Sequence, residues 1–118
     1  KAAFDQLKNS EKVFAFSTCT FPYPIQRALK KLDNGGNEPM WPEYIGYRSQ
    51  DLEEAIHDAG QFYWGKANAF LEEAAMYSSA SIPVILPRTQ VQDIDTMEDW
   101  EYAEMLYSLM LNQDFERV

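Results

Sequence analysis

The chain contains very few of the residues that most often form disulfides, zinc sites and histidine-based active sites. Its 118 residues include a single cysteine, Cys19, and a single histidine, His57. One cysteine excludes an internal disulfide and any zinc site that is built from several cysteines. One histidine leaves little scope for histidine-based catalysis or metal binding.

Basic residues and long apolar runs are scarce as well. The chain has 10 Lys and Arg against 19 Asp and Glu, which gives a net charge of −9. A nucleic-acid-binding protein needs a basic face that displaces phosphate counterions, so this composition argues against that class. No apolar run approaches the roughly 18 residues of a membrane span, and no charged-then-apolar leader opens the chain. The sequence therefore predicts a cytoplasmic protein with neither a nucleic-acid nor a membrane partner.

Three common ligand-binding motifs are also missing from this sequence. It contains no G-x-G-x-x-G, no G-x-x-x-x-G-K-[ST] and no H-E-x-x-H. These motifs cradle phosphates or bind zinc through backbone amides, lysine or paired histidines. A phosphate-handling enzyme that consisted of this chain alone would therefore be incomplete.

What is present is the composition of a folded domain, with 46% apolar and 14% aromatic residues. The length fits one domain at most. Residues 1–10 read as the last turns of a helix, and they lead directly into an apolar strand. A compact domain rarely starts in this way, so we expect the chain to be the later portion of a longer protein, a single partial domain over residues 1–118.

The hydrophobic pattern predicts an α/β fold. Thr96 and Asp99 have the spacing of a reciprocal helix cap, which predicts that a helix begins at Met97. A turn cluster at residues 33–36 predicts a β-hairpin within residues 25–41. The other predicted elements are strands at Val13–Thr20, Asp58–Gly65, Ser81–Pro87 and Gln90–Asp95, a short helical segment at Asp51–Ile56, and helices at Lys66–Tyr77 and Met97–Leu111.

The sharpest candidate site is the acidic pair Asp93 and Asp95. On an extended strand, residues i and i+2 point to the same face, so the two carboxylates would lie within roughly 7 Å of each other. Mg²⁺ is commonly held by one or two carboxylates, with waters and substrate phosphates at its other positions. From the pattern alone, the alternative is that Asp95 helps to cap the following helix and Asp93 is solvated.

Two further segments could bind a ligand. Gly60 permits a positive φ or a close backbone approach, and Tyr63 supplies an aromatic face with a hydroxyl group. Aromatic neighbours such as Phe62 and Trp64 are more often core residues than ligand contacts. Arg48, in a polar loop, could clamp a carboxylate in bidentate fashion or could simply be a solvated charge.

Three runs of the sequence carry a resemblance to a known family. They are FSTCTFPYPIQRALK (Phe16–Lys30), RSQDLEEAIHDAGQFYWG (Arg48–Gly65) and IPVILPRTQVQDIDTMEDWEYAE (Ile82–Glu104). Together they resemble the later half of the acylneuraminate cytidylyltransferases, and most of all the subgroup that acts on pseudaminic acid. The resemblance extends from about Val13 to Met110.

The resemblance implies a fold and a reaction. Enzymes of this family join CTP to a nine-carbon α-keto acid sugar (a nonulosonic acid), with Mg²⁺, to give the CMP-sugar and pyrophosphate. Their fold is a three-layer, Rossmann-like nucleotidyltransferase domain with an inserted β-hairpin, and they are usually homodimers through that region. For this chain, the resemblance implies the later half of such a domain, with residues 25–41 as the hairpin and dimerisation insert.

The resemblance also implies roles for individual residues. Asp93 and Asp95 match the Asp-x-Asp metal pair and become the predicted catalytic residues. Tyr63, with Gly60 before it, matches the segment that lines the acceptor-sugar pocket. Sialic acid enzymes have an Asn-Gly pair where this chain has Ala59-Gly60-Gln61, which favours a pseudaminic-type acceptor and places Gln61 among the predicted substrate-binding residues.

Three other residues are implied in sugar binding. Arg48 resembles the arginine that meets the sugar carboxylate. Gln26 or Arg27 falls near the position where sialic acid enzymes have a sugar-contacting lysine, although this chain has no lysine there.

The family's glycine-rich, basic nucleotide-binding signature belongs to its first half and is not found in these residues. We therefore expect the isolated chain to be inactive. Three alternatives remain open at this point: a cytidylyltransferase for sialic or legionaminic acid, a non-catalytic oligomerisation or sugar-binding module, and a folded remnant without activity.

Overall fold

The structure is a computed structural model, and it describes residues 1–116 of the chain. In chain order, its helices and strands are α1 (Ala2–Lys8), β1 (Phe14–Thr20), β2 (Leu29–Lys31), β3 (Asn37–Pro39), β4 (Ile56–Gly65), α2 (Ala67–Leu71), β5 (Ser81–Ile85) and α3 (Met97–Glu116). Short 3₁₀ turns lie at Ile25–Arg27, Pro42–Tyr44, Ser49–Asp51 and Arg88–Gln90. None of the helices in this part of the chain is long and apolar enough to cross a membrane.

The chain divides into two compact units. The first contains residues 1–19 and the chain from residue 58 onward, and the second contains residues 20–57. The first unit is built on a three-stranded sheet with the strand order β4-β1-β5. β1 and β5 are parallel, with Phe14 opposite Ser81. β4 is antiparallel to β1. The residue just after β4, Lys66, donates its backbone N–H to the carbonyl of Val13, which lies just before β1, at 2.9 Å.

The centre of this sheet forms the core. β1 is buried from Phe14 to Cys19, because it is the middle strand. The strand predicted at Val13–Thr20 is therefore confirmed, and it is buried on both faces. Cys19 is 2% exposed, as expected for a small core residue.

The sheet contacts two helices, each through one aromatic pair. Phe4 of α1 lies 5.2 Å from Trp64 of β4 between ring centroids, and Phe14 of β1 lies 5.2 Å from Phe70 of α2. At Gly65, the end of β4, a Cβ atom would clash with the Phe70 ring and come within 2.7 Å of Phe14 Cδ1. Position 65 therefore has no room for a side chain, and this favours glycine. The mixed α/β class is confirmed, and the three-layer arrangement of a complete domain stays a prediction.

The second unit contains a small antiparallel ribbon. Leu29 of β2 lies opposite Pro39 of β3, and Lys31 lies opposite Asn37. The connecting turn contains Gly35 at φ 86°, as the turn cluster predicts. The assignment of residues 25–41 as a dimerisation insert stays a prediction.

The predicted strand at Gln90–Asp95 is wrong. Arg88–Gln90 forms a 3₁₀ turn, and residues 91–94 have no regular structure. The reason is local. The Asp99 carboxylate accepts the backbone N–H groups of Asp95 and Thr96, at 3.0 and 2.8 Å, so these donors are already used at the start of α3.

Two predicted helical segments also differ from the structure. Asp51–Ile56 is not a helix, because only a 3₁₀ turn at Ser49–Asp51 forms and Ile56 already belongs to β4. The helix predicted at Lys66–Tyr77 ends at Leu71. Glu73 takes a positive φ of 53°, and the next N–H, of Ala74, reaches back to the carbonyl of Ala69 at 3.0 Å. This is the geometry of a Schellman cap, formed here without glycine.

Candidate functional site

The site in the first unit starts from an irregularity in β4. The Ser17 hydroxyl of β1 accepts the backbone N–H groups of both Gln61 and Phe62, at 3.0 and 3.1 Å. Two successive donors on one acceptor mark a bulge, which bends a strand and redirects its side chains. Gly60, just before the bulge, has a φ of 69°, so its predicted positive φ is confirmed. Its N–H donates to Asp58 Oδ1 at 2.8 Å.

Beyond the bulge, two tyrosines converge on one carboxylate oxygen. The hydroxyl groups of Tyr63 and Tyr77 both donate to Asp58 Oδ2, each at 2.7 Å. The Phe16 ring stacks on Tyr63, with centroids 6.2 Å apart and an interplanar angle of 12°, and lies 5.7 Å from Tyr77. The hydroxyls and rings of both tyrosines are thus held by β1 and β4. We call Asp58, Tyr63 and Tyr77 the tyrosine clamp.

The connection between β5 and α3 is bound to β4 by one side-chain hydrogen bond. The Gln61 side-chain amide donates to the carbonyl of Gln90 at 2.7 Å, which ties β4 to the connection. The hydrogen bond to Asp58, partial desolvation and the charges of Asp58, Tyr77 and Asp93 together raise the pKa of Tyr63 to about 12. The Gln61–Gln90 hydrogen bond therefore links the Gly60–Tyr63 segment of β4 to the start of the connection that carries Asp93.

The acidic connection leads into a well-capped helix. The Asp99 N–H donates to the Thr96 hydroxyl at 3.2 Å, and the Asp99 carboxylate accepts the Thr96 N–H at 2.8 Å. The reciprocal cap and the helix start at Met97 are therefore confirmed. Hydrogen bonding by the Thr96 side chain, and then by the backbone N–H groups of Asp95 and Thr96, lowers the pKa of Asp99.

Because Asp93 and Asp95 do not lie on a strand, the strand geometry that predicts one shared face for their carboxylates does not hold in this structure. The donor chemistry of the two residues still fits a divalent cation. Both residues are exposed, and within residues 1–116 no side-chain hydrogen bond or ion pair involves either carboxylate. Asp99, by contrast, is occupied by the cap. The same part of the chain holds no cluster of three or more His, Cys, Asp or Glu arranged for a metal ion. Two available carboxylates suit Mg²⁺, which takes its remaining ligands from water and substrate phosphates.

The other predicted sugar-binding residues belong to the second unit, where each has a partner. Arg48 forms a two-bond pair with Asp51, with Nε to Oδ2 at 2.8 Å and Nη2 to Oδ1 at 3.3 Å. Gln26 donates its side-chain amide to the carbonyl of Glu53 at 2.9 Å, and Arg27 donates to the carbonyl of Tyr47 at 2.6 Å. These contacts order the second unit, and the sugar-binding roles of the three residues stay predictions.

Sequence reasoning missed three residues of the first-unit site: Asp58, Tyr77 and Ser17. Asp58 precedes the Gly60–Tyr63 segment, and an Asp two residues before a glycine is a common turn pattern that could have drawn attention to it. Tyr77 comes from the segment after α2, 14 residues along the chain from Tyr63, and Ser17 lies on β1, the neighbouring strand. Only the tertiary fold brings these three residues together.

Comparison with known proteins identifies close relatives over most of the chain. The chain is 40% identical over 109 residues to a pseudaminic acid cytidylyltransferase of Campylobacter jejuni subsp. jejuni serotype O:23/36, across 92% of the chain and 47% of that protein. It is 39% identical over the same length to the protein of the same name from serotype O:2. The resemblance predicted from the sequence is thereby confirmed. No protein-family model matches the chain.

A third relative carries two activities in its name. It is the pseudaminic acid cytidylyltransferase and UDP-2,4-diacetamido-2,4,6-trideoxy-beta-L-altropyranose hydrolase of Helicobacter pylori, 38% identical over 95 residues. The match covers 80% of this chain and 18% of that protein. The chain spans about half the length of the Campylobacter relatives that it matches.

Proposed function

We propose that the chain is about half of an enzyme that transfers CMP from CTP to a pseudaminic acid-like, nine-carbon α-keto acid sugar and releases pyrophosphate. The observation that carries this proposal is the 40% identity to a pseudaminic acid cytidylyltransferase across 92% of the chain. The geometry supports it, since the side-chain amide of Gln61, a predicted sugar-binding residue, donates to the carbonyl of Gln90 in the connection that carries Asp93 and Asp95.

In this proposal, the acidic pair acts on the nucleotide. The anomeric hydroxyl of the sugar attacks the α-phosphorus of CTP, and pyrophosphate leaves in line. Asp93 and Asp95 would hold Mg²⁺, which when bound neutralises charge on the phosphates. The capping box fixes the backbone at Asp95 and Thr96, and the Gln61–Gln90 hydrogen bond fixes the connection further upstream. The contribution of these residues is to position the carboxylates before the nucleotide arrives.

On the sugar side, Gly60, Gln61 and Tyr63 would contact the acceptor, with the Tyr63 ring packing on it. Arg48 would anchor the sugar carboxylate by exchanging it for the Asp51 carboxylate that it binds in this structure. Both partners are exposed, and exposed ion pairs contribute little to stability, so such an exchange is energetically cheap. Gln26 and Arg27 keep the sugar-binding roles that the resemblance implies.

A homodimer formed through residues 25–41 is part of the same proposal. Support comes from apolar side chains that the second unit leaves exposed, among them Leu29 at 60% and Met40 at 50%. Cytoplasmic CTP would supply the nucleotide.

The test is Asp95→Ala in the intact protein that contains this chain, with pyrophosphate release measured against CTP, Mg²⁺ and pseudaminic acid. We expect the rate to fall more than about tenfold, a barrier increase of at least about 1.4 kcal/mol. Asp5→Ala on α1 is the matched control and should retain full activity. A rate within about tenfold of wild type for Asp95→Ala would contradict the proposed metal-binding role of this residue. Absence of pyrophosphate release by the wild-type protein would contradict the proposed function as a whole.

The 118-residue chain expressed alone should neither turn over nor bind CTP by calorimetry. The reason is that the glycine-rich and basic phosphate cradle implied by the resemblance is not among its residues. Micromolar CTP binding by the chain alone would contradict this account of how the enzyme is divided.

A further inference from the structure

We propose that Asp58 and Tyr77 are positioning residues that leave the Tyr63 hydroxyl able only to accept hydrogen bonds from a ligand. Tyr63 would therefore bind hydrogen-bond donors of the acceptor sugar, which are its hydroxyl or acylamino N–H groups. The inference rests on the proposed function and deepens it. It assigns a chemical polarity to the sugar pocket and roles to two residues that the resemblance does not name.

The first step is the direction of the two phenol protons in the tyrosine clamp. A tyrosine hydroxyl has one proton to donate, and its oxygen can still accept. The protons of Tyr63 and Tyr77 are both directed to Asp58 Oδ2 at 2.7 Å. The other carboxylate oxygen, Oδ1, accepts the Gly60 N–H at 2.8 Å. With its proton committed to the carboxylate, the Tyr63 phenol has only oxygen lone pairs to offer a ligand.

The second step is that the clamp is rigid and accessible. Phe16 packs against both tyrosine rings, and Ser17 holds the bulge that orients Tyr63. Even so, 46% of Tyr63 and 75% of Tyr77 remain exposed. Hydrogen bonds to a charged acceptor are stronger than those between neutral groups, so a neutral ligand would not readily take the phenol protons from Asp58.

The third step is the sign of the local charge. The negative charges of Asp58 and Asp93 both raise the pKa of the Tyr63 phenol. A carboxylate or phosphate placed here would meet like charge and acceptor-only oxygens. A hydroxyl or an acylamino N–H would instead find an unused acceptor in a negative field. The acceptor sugar would therefore present its hydrogen-bond donors, not its carboxylate, to Tyr63.

The experiment measures KM for the acceptor sugar and KM for CTP separately, in the intact protein and three variants. Tyr63→Phe and Tyr77→Phe keep the rings on Phe16 and remove only hydroxyl groups. Asp58→Asn can keep one oxygen for the Gly60 N–H while it replaces the oxygen to which both phenols donate. We expect Tyr63→Phe and Asp58→Asn to raise KM for the sugar about fivefold or more, the loss of roughly one hydrogen bond. KM for CTP and the Mg²⁺ requirement should change less than about twofold, on the same reasoning, since neither depends on this bond.

A double variant distinguishes positioning from a direct contact. If Asp58 acts through Tyr63, adding Asp58→Asn to Tyr63→Phe should raise KM for the sugar by less than about twofold more. Tyr107→Phe on α3 is the control for loss of an exposed tyrosine hydroxyl. If circular dichroism shows that Asp58→Asn does not fold, the test rests on Tyr63→Phe and Tyr77→Phe. We then expect Tyr77→Phe to raise KM for the sugar less than Tyr63→Phe does.

The inference is overturned if the sugar KM does not change, or if KM for CTP or the Mg²⁺ requirement shifts as much as the sugar KM. A shift in the Mg²⁺ requirement would mean that the clamp serves a cation. If the wild-type protein shows no transfer at all, the proposed function fails first and the inference falls with it.

Discussion

The Thr96 hydroxyl accepts the Asp99 N–H, and the Asp99 carboxylate accepts the Thr96 N–H in return. The pair closes the first turn of α3 and determines where the acidic connection ends. We expect Thr96→Ala to lower the free energy of unfolding by about 1 kcal/mol, the usual cost of losing an N-cap side chain. Urea unfolding would measure it. Ser108→Ala, within α3, is the control and should lose less, because Ser108 bonds only the carbonyl of Glu104.

The cap also predicts a pH dependence. The pKa of Asp99 is lowered in the folded chain, so its stabilising contribution is present above the ordinary aspartate pKa and is lost as the pH falls through the lowered value. The stability difference between wild type and Asp99→Asn should therefore shrink as the pH is reduced from 7 towards 3. A difference that stays constant over that interval would show that the carboxylate charge does not matter to the cap.

The tyrosine clamp predicts a second pH dependence at the alkaline end. The pKa of Tyr63 is raised from 10.0 to about 12, foremost by its hydrogen bond to Asp58. The bond's contribution is complete below pH 10 and is lost as the pH rises through about 12. Ultraviolet titration should show a late tyrosine step that loses the Tyr63 phenol in Tyr63→Phe and moves to lower pH in Asp58→Asn. Tyr77 also contributes to the late step, because its pKa is raised by the same hydrogen-bonded carboxylate. An unchanged step in both variants would contradict the assignment.

Two adjacent buried hydroxyls on β1 should respond to mutation in opposite directions. Ser17 satisfies two backbone donors of β4, so Ser17→Ala should lower the free energy of unfolding by about 1–3 kcal/mol. Thr18 Oγ1 is buried without a hydrogen-bond partner within the described residues. Thr18→Val should raise the free energy of unfolding by about 1 kcal/mol, since it removes a desolvated hydroxyl and keeps the shape. Urea unfolding of both variants tests the contrast, and losses of equal size would contradict it.

The sequence predicted those elements whose cause is local. The start of α3 follows from the Thr96–Asp99 spacing, and the turn at Gly35 follows from a cluster of residues that tolerate positive φ. The central strand β1 follows from a run that is rich in aromatic and β-branched residues, which is typical of strands. In each case the determining residues are neighbours in the chain.

The errors arose where a local pattern competes with another bonding partner. The alternation of residues 90–95 resembles a strand, but the Asp99 carboxylate takes the N–H groups of Asp95 and Thr96. The apolar spacing after Lys66 continues past Leu71, but Glu73 adopts a positive φ that ends the helix. The tyrosine clamp could not be predicted from the sequence because Tyr77 and Asp58 are 19 residues apart in the chain and meet only in the tertiary structure.

Glycine serves opposite purposes at the two positions of β4. Gly60 has a left-handed backbone conformation and open space where a Cβ atom would lie. Gly65 has an ordinary φ, but an added Cβ atom there would clash with aromatic rings. A library that samples every amino acid at both positions would separate these demands: asparagine should survive at 60 because it tolerates that conformation, while even alanine should be rejected at 65. The two glycines would thus give different tolerance profiles, one set by torsion and the other by volume.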